Sequence, residues 1–268
     1  MGSYGTQRRM GRIFGRDGRT VIVAMDHAGG GSVPGLEHPR RVIEQVQEGG
    51  ADAILTTYGM LCRFGDQMGK LGVILRADGG HAHLATGTQR KVVFTAEHAV
   101  RAGADAVATM LFPGLPDAVA SLTYVPAMAT DAAQWGVPFM AEALPYGFQQ
   151  TAEARSAENV GHACRLGAEL GADFVKTNYT GTTDTFRAVV DQCYVPLVIL
   201  GGGRIDDERV LLTQIYDSLR AGGAGVAIGR NVWQHHDPRM MTRAITAIVH
   251  DDATVEQAYR MLSARLAI

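Results

Sequence analysis

A single (β/α)8 TIM barrel over residues 1–268 is the fold class this sequence predicts, and three observations predict it. Eight short apolar runs recur between residues 20 and 231. Segments with helical spacing lie between them. No dinucleotide fingerprint of the Gly-x-Gly-x-x-Gly type is present, which sets the barrel ahead of a doubly wound open sheet.

The first four runs are Thr20 to His27, Ala51 to Gly59, Leu71 to Gly79 and Ala104 to Phe112. The second four are Val137 to Pro145, Ala172 to Tyr179, Val195 to Gly202 and Ala224 to Asn231. Each is rich in Val, Ile, Ala or Phe and has the length of a strand buried on both faces. Turn signals precede most of them: Gly-Gly-Ala-Asp at 49–52, Ala-Gly-Ala-Asp at 102–105, Gly-Val-Pro at 136–138 and Gly-Ala-Asp at 171–173. Those glycines suit the C-terminal ends of the preceding helices. Within Ser156 to Leu170, the residues Val160, Ala163, Cys164, Leu166, Gly167 and Leu170 repeat at helical spacing. A short N-terminal helix is expected around Arg8 to Phe14, and a C-terminal helix from Thr254 to Arg265.

Composition narrows the partners. Hydrophobic residues make up 46% of the chain, enough for a sizeable core. A formal net charge of −2 gives no electrostatic ground for nucleic acid or an anionic membrane as partner. No stretch approaches the roughly 20 apolar residues of a membrane span. Cys62, Cys164 and Cys193 are few, odd in number and widely spaced, so neither a disulfide framework nor a zinc site is suggested. The expected compartment is reducing cytoplasm. The N-terminal segment has no apolar run that would make it a signal peptide.

In a barrel the active site is built at the C-terminal ends of the strands. Read in order, those ends offer Asp26 and His27, then Asp78, then Glu142 with Tyr146 beyond it, then Lys176 and Asn178. Gly201, Gly202, Gly203 and Arg204 follow strand seven, and Gly229, Arg230 and Asn231 follow strand eight. Side chains alternate along a strand. Lys176 therefore shares a face with Phe174 and Asn178, and Glu142 shares one with Met140 and Leu144.

Lys176 points to specific chemistry. The chain has only three lysines, Lys70, Lys91 and Lys176, against 22 arginines, so arginine is its default cation. Arginine cannot form an imine. A lysine inside an apolar run therefore suggests a need for a neutral amine. Burial disfavours the ammonium and frees the lone pair for attack on a carbonyl. The competing reading is a strand-end lysine that snorkels to water.

The glycine clusters add a second group. Three consecutive glycines let backbone N–H groups approach a ligand closely. Loops after strands seven and eight of a barrel commonly bind phosphate, and Arg204 and Arg230 would add charge-assisted hydrogen bonds. The alternative is a glycine-rich turn without a ligand. Together, amine and phosphate site suggest an imine with the ketone of a phosphorylated sugar, an electron sink for breaking or making the adjacent carbon–carbon bond. Asp26 is the first candidate for proton transfer; a structural aspartate bonded to its own loop is the alternative. His27 is a candidate for orienting substrate hydroxyls. His81 and His83 form a His-x-His pair with no further clear ligand, so no metal is expected. His235-His236 reads as a solvated helix start. The glycines after His27 suit a mobile lid or a flexible loop.

At these residues the sequence resembles the archaeal-type class I (Schiff-base) aldolase family, which includes fructose-bisphosphate aldolases, 2-amino-3,7-dideoxy-heptulosonate synthase and a thiolase of autoinducer breakdown. Three stretches carry the resemblance: Ala24 to His27, Arg165 to Gly181 and Gly225 to Gln234. It covers nearly the whole chain. It implies a barrel, often assembled as a decamer, with no metal or cofactor. It places the imine lysine on Lys176, the strand-one aspartate on Asp26, and phosphate-binding backbone on Gly201, Gly202, Gly229 and Arg230.

The chain departs from the family after strand five. The family's aldolases usually carry Tyr-Pro-Arg-Gly there; this chain has Leu144-Pro145-Tyr146-Gly147. The tyrosine proton donor is thus replaced by Leu144, and an arginine suited to a second anionic group by Tyr146. Glu142 stands where fructose-bisphosphate aldolases often have tryptophan, and Asp78 where relatives commonly have serine; Asp78 joins the substrate-binding candidates. Glu142 and Tyr146 become candidates for the missing proton transfer. The expected function is a class I aldolase or synthase acting on a phosphorylated ketose and an aldehyde, in a pathway making a seven-carbon intermediate. A thiolase-type acyl transferase acting on a phosphorylated diketone, and a non-catalytic phosphosugar-binding barrel, remain open alternatives.

Overall fold

The computed structural model describes residues 3–27, 31, 33–79, 90–149 and 151–263. Helix α1 (Tyr4–Ile13) precedes the first barrel strand, β1 (Thr20–Ala24). Helix α2 (Pro39–Glu48), β2 (Ala53–Thr56), α3 (Tyr58–Phe64) and β3 (Gly72–Arg76) follow. Next comes a two-stranded antiparallel ribbon, β4 (Asp78–Gly79) with β5 (Lys91–Val92). The series then runs α4 (Ala96–Ala102), β6 (Ala106–Leu111), α5 (Ala118–Trp135), β7 (Phe139–Ala143), α6 (Ala157–Glu169), β8 (Phe174–Thr177) and α7 (Thr183–Gln192). It closes with β9 (Leu197–Leu200), α8 (Glu208–Arg220), β10 (Gly225–Ile228), α9 (Arg230–Trp233), α10 (Pro238–His250) and α11 (Val255–Ser263).

Eight parallel strands form a closed barrel in the order β1-β2-β3-β6-β7-β8-β9-β10, with β10 pairing back to β1 from Thr20↔Gly225 to Val23↔Ile228. All eight expected runs hold a barrel strand. The strands are shorter than the runs because the ends of several runs lie in loops beyond the ladders. Asp26, His27, Asn178 and Tyr179 lie past the last ladder residue, and Tyr58 already starts α3.

The Gly-Ala-Asp signals have a double role. Gly50, Gly103 and Gly171 adopt left-handed backbone at the helix ends, with φ of 93°, 88° and 99°. The aspartates then tie strand starts together: Asp52 accepts from Val21 N at 2.6 Å, Asp105 from Val73 N at 3.0 Å and Asp173 from Phe139 N at 2.8 Å. Backbone donors at the bottom of the barrel are satisfied in this way.

The interior is filled by alternation of large and small side chains. Phe174, Met140, Leu55 and Ile74 meet Ala53, Ala106, Ala108 and Ala227. Phe14, just past α1, plugs the N-terminal end, its ring edge-on to Phe174 at 5.3 Å between centroids. Full burial of Phe174 contributes about 1.5–3 kcal/mol. Among the described residues, no helix is long and apolar enough to cross a membrane.

Candidate active site

Strand register sets the first contact. β7 and β8 align Met140 with Phe174 and Glu142 with Lys176. Met140 and Phe174 belong to the barrel interior, so the next inward positions are Glu142 and Lys176. Lys176 Nζ lies 2.9 Å from Glu142 Oε1. Both residues are buried, at 5% and 6% exposure, so Lys176 does not snorkel to water. Outward on the same strand, Thr177 donates to the Ala143 carbonyl at 2.9 Å and locks the two strand ends together.

Arg76 completes the cluster. It stands two residues after the inward Ile74 on β3 and is 7% exposed. Its Nε donates to Asp26 Oδ2 at 2.8 Å, its Nη1 to Asp78 Oδ1 at 3.4 Å and its Nη2 to Glu142 Oε2. Arg90 Nη1 donates to the other Asp78 oxygen at 3.2 Å. Three carboxylates therefore face three cations inside the barrel mouth. Burying so many charges is tolerable only because each has a partner.

The same pairing sets the protonation states. Burial pushes the Asp26 carboxyl up, but Arg76 and then Lys176 outweigh it and hold it below the usual carboxylate range. Burial also pushes Glu142 up; Lys176 and Arg76 overcome burial and the repulsion from Asp26, and its pKa falls. Arg76 is pushed down by burial and raised well above its ordinary value by Asp26, Glu142 and Asp78. His27 is half-buried, and desolvation followed by the nearby Arg230 charge lowers its pKa. At neutral pH the site thus holds ionised acids and a neutral imidazole.

The glycine loops are braced from α9. Asn231 Nδ2 donates to the carbonyls of Gly201 at 2.8 Å and Gly203 at 3.0 Å, while its Oδ1 accepts from Ile205 N at 2.7 Å. Arg230 donates to the Gly202 carbonyl at 2.8 Å. Gly202 has φ 62°, a left-handed turn that suits glycine. Trp233 Nε1 donates to the Ala24 carbonyl at 2.9 Å, fastening α9 to the end of β1, and its indole ring lies 6.0 Å from His27.

Lys176, Asp26 and Glu142 come together as the sequence suggests, with His27, Gly201, Gly202, Gly229 and Arg230 on the loops around the same barrel mouth. Asp78 is in the cluster, but both its oxygens accept from arginines, so the structure uses it to hold Arg76. Tyr146 takes a different direction. It adopts φ 57°, and its hydroxyl donates to the exposed Glu153 at 2.9 Å. Leu144, at the place of the family tyrosine, is buried against Met110 and Phe112. Arg204 is exposed and faces Asp206 at 3.7 Å and the Gln234 carbonyl at 3.3 Å. His235 corrects the expectation of a solvated helix start: its ring is buried and bonded to Glu208 at 2.8 Å, whereas His236 is exposed. His81, His83, Gly29 and Gly30 lie outside the described residues.

Sequence reasoning missed Arg76 and placed Asn231 at a strand end without giving it a role. Arg76 carried the same signal as Lys176, a cation inside an apolar run. Asn231 gave no local signal, because its partners lie 26–30 residues away.

Comparison with known proteins gives the family. The family model for DeoC/LacD family aldolases matches residues 20–235. A 2-amino-3,7-dideoxy-D-threo-hept-6-ulosonate synthase of Halobacterium salinarum is 39% identical over 259 residues, covering 96% of each chain. One from Archaeoglobus fulgidus is 32% identical over 261 residues, covering 94% of each. A Schiff-base-forming fructose-1,6-bisphosphate aldolase superposes with a TM-score of 0.84 at 29% identity, covering 91% of this chain and 100% of that one. An archaeal fructose-1,6-bisphosphate aldolase with its catalytic lysine bound to a carbinolamine intermediate gives 0.83 at 28% identity, covering 91% and 99%. With one family matched across the whole barrel, the chain belongs to the DeoC/LacD aldolases and is a class I aldolase, an enzyme that makes or breaks a carbon–carbon bond.

Proposed function

We propose that Lys176 is the imine-forming lysine of a synthase that joins a ketone donor, delivered as a phosphorylated ketose, to an aldehyde. The contact between Lys176 Nζ and Glu142 Oε1 carries this reading. Glu142 takes the ammonium proton, leaving two neutral groups where two buried charges stood. The free amine attacks the ketone carbon; a carbon–nitrogen bond forms, the carbonyl pair moves to oxygen, and oxygen takes up the proton that the new ammonium nitrogen releases. Glu142 returns its proton to the resulting hydroxyl, water leaves, and the nitrogen lone pair closes the iminium. Asp26 then accepts the proton of the hydroxyl β to the iminium carbon. The bond between the α and β carbons breaks and the phosphate-bearing half leaves as an aldehyde; the enamine left on Lys176 then joins the acceptor aldehyde by the same steps run backwards, Asp26 returning its proton to the new hydroxyl.

The glycine loops braced by Asn231, together with Arg230, bind the phosphate through backbone N–H groups and the guanidinium. The product class is a seven-carbon amino keto acid. Relatives 39% and 32% identical are named for such a product. Its ketone is at carbon 6 and carbon 4 bears a hydroxyl, so the bond between carbons 4 and 5 is the aldol bond. The halves are a four-carbon amino-acid aldehyde and a three-carbon ketone. Leu144 in place of a phenol, with Glu142 beside the lysine, fits a different division of proton transfers from that of a fructose-bisphosphate aldolase.

The test is borohydride reduction with dihydroxyacetone phosphate, read by intact mass and peptide mapping. An adduct on Lys176 is expected. No adduct with any ketose phosphate, combined with coenzyme A-dependent acyl transfer, would overturn the assignment.

A further inference from the structure

We propose that Arg76 is a positioning residue for the imine chemistry: its forked guanidinium sets the Asp26 and Glu142 carboxylates in register with the Lys176 amine and assigns them separate tasks. The inference rests on the imine reading of Lys176 and goes beyond it, because Arg76 itself touches no reacting atom.

The geometry divides the two acids. Arg76 binds Glu142 through Oε2, so the other oxygen, Oε1, is the one presented to Lys176 Nζ at 2.9 Å. It binds Asp26 through Nε, another donor of the same planar fork, at 2.8 Å. One rigid group therefore fixes two bases, one just past β1 and one on β7. The Asp26 side chain is 14% exposed and that of Glu142 8%, so Asp26 is the more open of the two acids. Glu142 serves the amine, and Asp26 is left for the substrate hydroxyl.

Arg76 is itself held from behind. Asp78 receives Nη1 with one oxygen and Arg90 with the other, and its side chain is fully buried. That makes Asp78 an anchor for the fork and explains a charged residue at a buried ribbon position. A lysine at position 76 would keep the charge but lose the planar fork that reaches three carboxylates at once.

Among the described residues, the charged and titratable groups around the two carboxylates are Arg76 on β3, Lys176 on β8, and His27 with Arg230 at the mouth, while Asp78 on β4 and Arg90 before β5 stand behind Arg76. Removing the Arg76 charge takes away the largest influence that keeps Asp26 ionised and the second largest on Glu142. Both acids then protonate at higher pH.

The experiment is the rate of cyanoborohydride-trapped adduct on Lys176 with dihydroxyacetone phosphate, measured across pH for wild type, R76K and R76Q. R76K is expected to trap about 10²-fold more slowly with an acid limb close to wild type, because the charge remains and the positioning does not. R76Q is expected to slow trapping at least as much and to move the acid limb up by roughly 1–3 pH units. The half-saturating concentration should change little in R76K, since the glycine loops are untouched. If R76Q does not fold, R76K decides alone: a wild-type trapping rate in it overturns the inference. A uniform loss across pH in R76Q, with no movement of the limb, overturns it as well. No adduct in the wild type overturns the imine reading and this inference with it. A wild-type adduct that both variants leave unchanged overturns this inference only.

Discussion

Glu142 and Lys176 are register partners on adjacent strands, and their side chains close to 2.9 Å inside the barrel. The pair is set by backbone hydrogen bonding, not by a loop. A substitution at either position should therefore leave the other in place.

Lys176→Arg keeps a cation beside Glu142 and removes any possibility of an imine. The barrel is expected to remain folded by circular dichroism, and the borohydride adduct with dihydroxyacetone phosphate is expected to vanish. Aldolase activity at the wild-type level in this variant would falsify the assignment of Lys176.

Glu142→Gln preserves shape and removes the proton acceptor. Adduct formation is expected to slow by about 10²–10⁴-fold, the usual contribution of a positioned general acid or base. Glu142→Ala is expected in addition to lower stability by about 3–5 kcal/mol, because it leaves Lys176 and Arg76 buried with fewer partners. Urea unfolding of both variants separates the two effects.

Arg230→Ala and Asn231→Ala act on the glycine loops in different ways. Arg230→Ala removes a charged donor, and its main expected effect is weaker binding of dihydroxyacetone phosphate, by about 1.5–3 kcal/mol for a lost charged hydrogen bond. Asn231→Ala removes the side chain that ties Gly201, Gly203 and Ile205 together. Equal affinities for dihydroxyacetone phosphate in all three proteins, by calorimetry, would count against the phosphate site.

His250 provides a pH dependence unrelated to catalysis. Its ring bonds Asp52 at 2.9 Å and Asp17 at 2.7 Å, and those bonds, Asp52 first, raise its pKa from 6.5 to about 9. A folded-state pKa above the unfolded one stabilises fully below about pH 6.5 and loses that stabilisation as pH rises through about 9. Urea unfolding at pH 6 and pH 9.5 should show the wild type losing more stability over this interval than His250→Ala. Equal losses would place the effect elsewhere.

Much of this was legible in the sequence because a parallel barrel writes its strands as uniform apolar runs. The Gly-Ala-Asp repeats marked where helices end, although their aspartates' bonds to the neighbouring strand starts appear only in three dimensions. Lys176 was readable because one of only three lysines stood inside an apolar run. Arg76 was hidden because it was one arginine of 22. Tyr146 had suitable chemistry in its type, yet its direction depends on a left-handed backbone and a bond from its N–H to the Pro113 carbonyl at 2.8 Å. Neither is encoded in side-chain identity.

The bond from the Trp233 indole to the Ala24 carbonyl spans 209 residues of sequence. During synthesis the amino-terminal strand emerges long before the segment that steadies it. The end of β1, two residues before Asp26, therefore gains this brace only after β10 has left the ribosome. A chain interrupted before β10 loses more than its phosphate loop: the end of β1 that leads into Asp26 is left without this brace, so such fragments are expected to be inert even where their earlier strands associate.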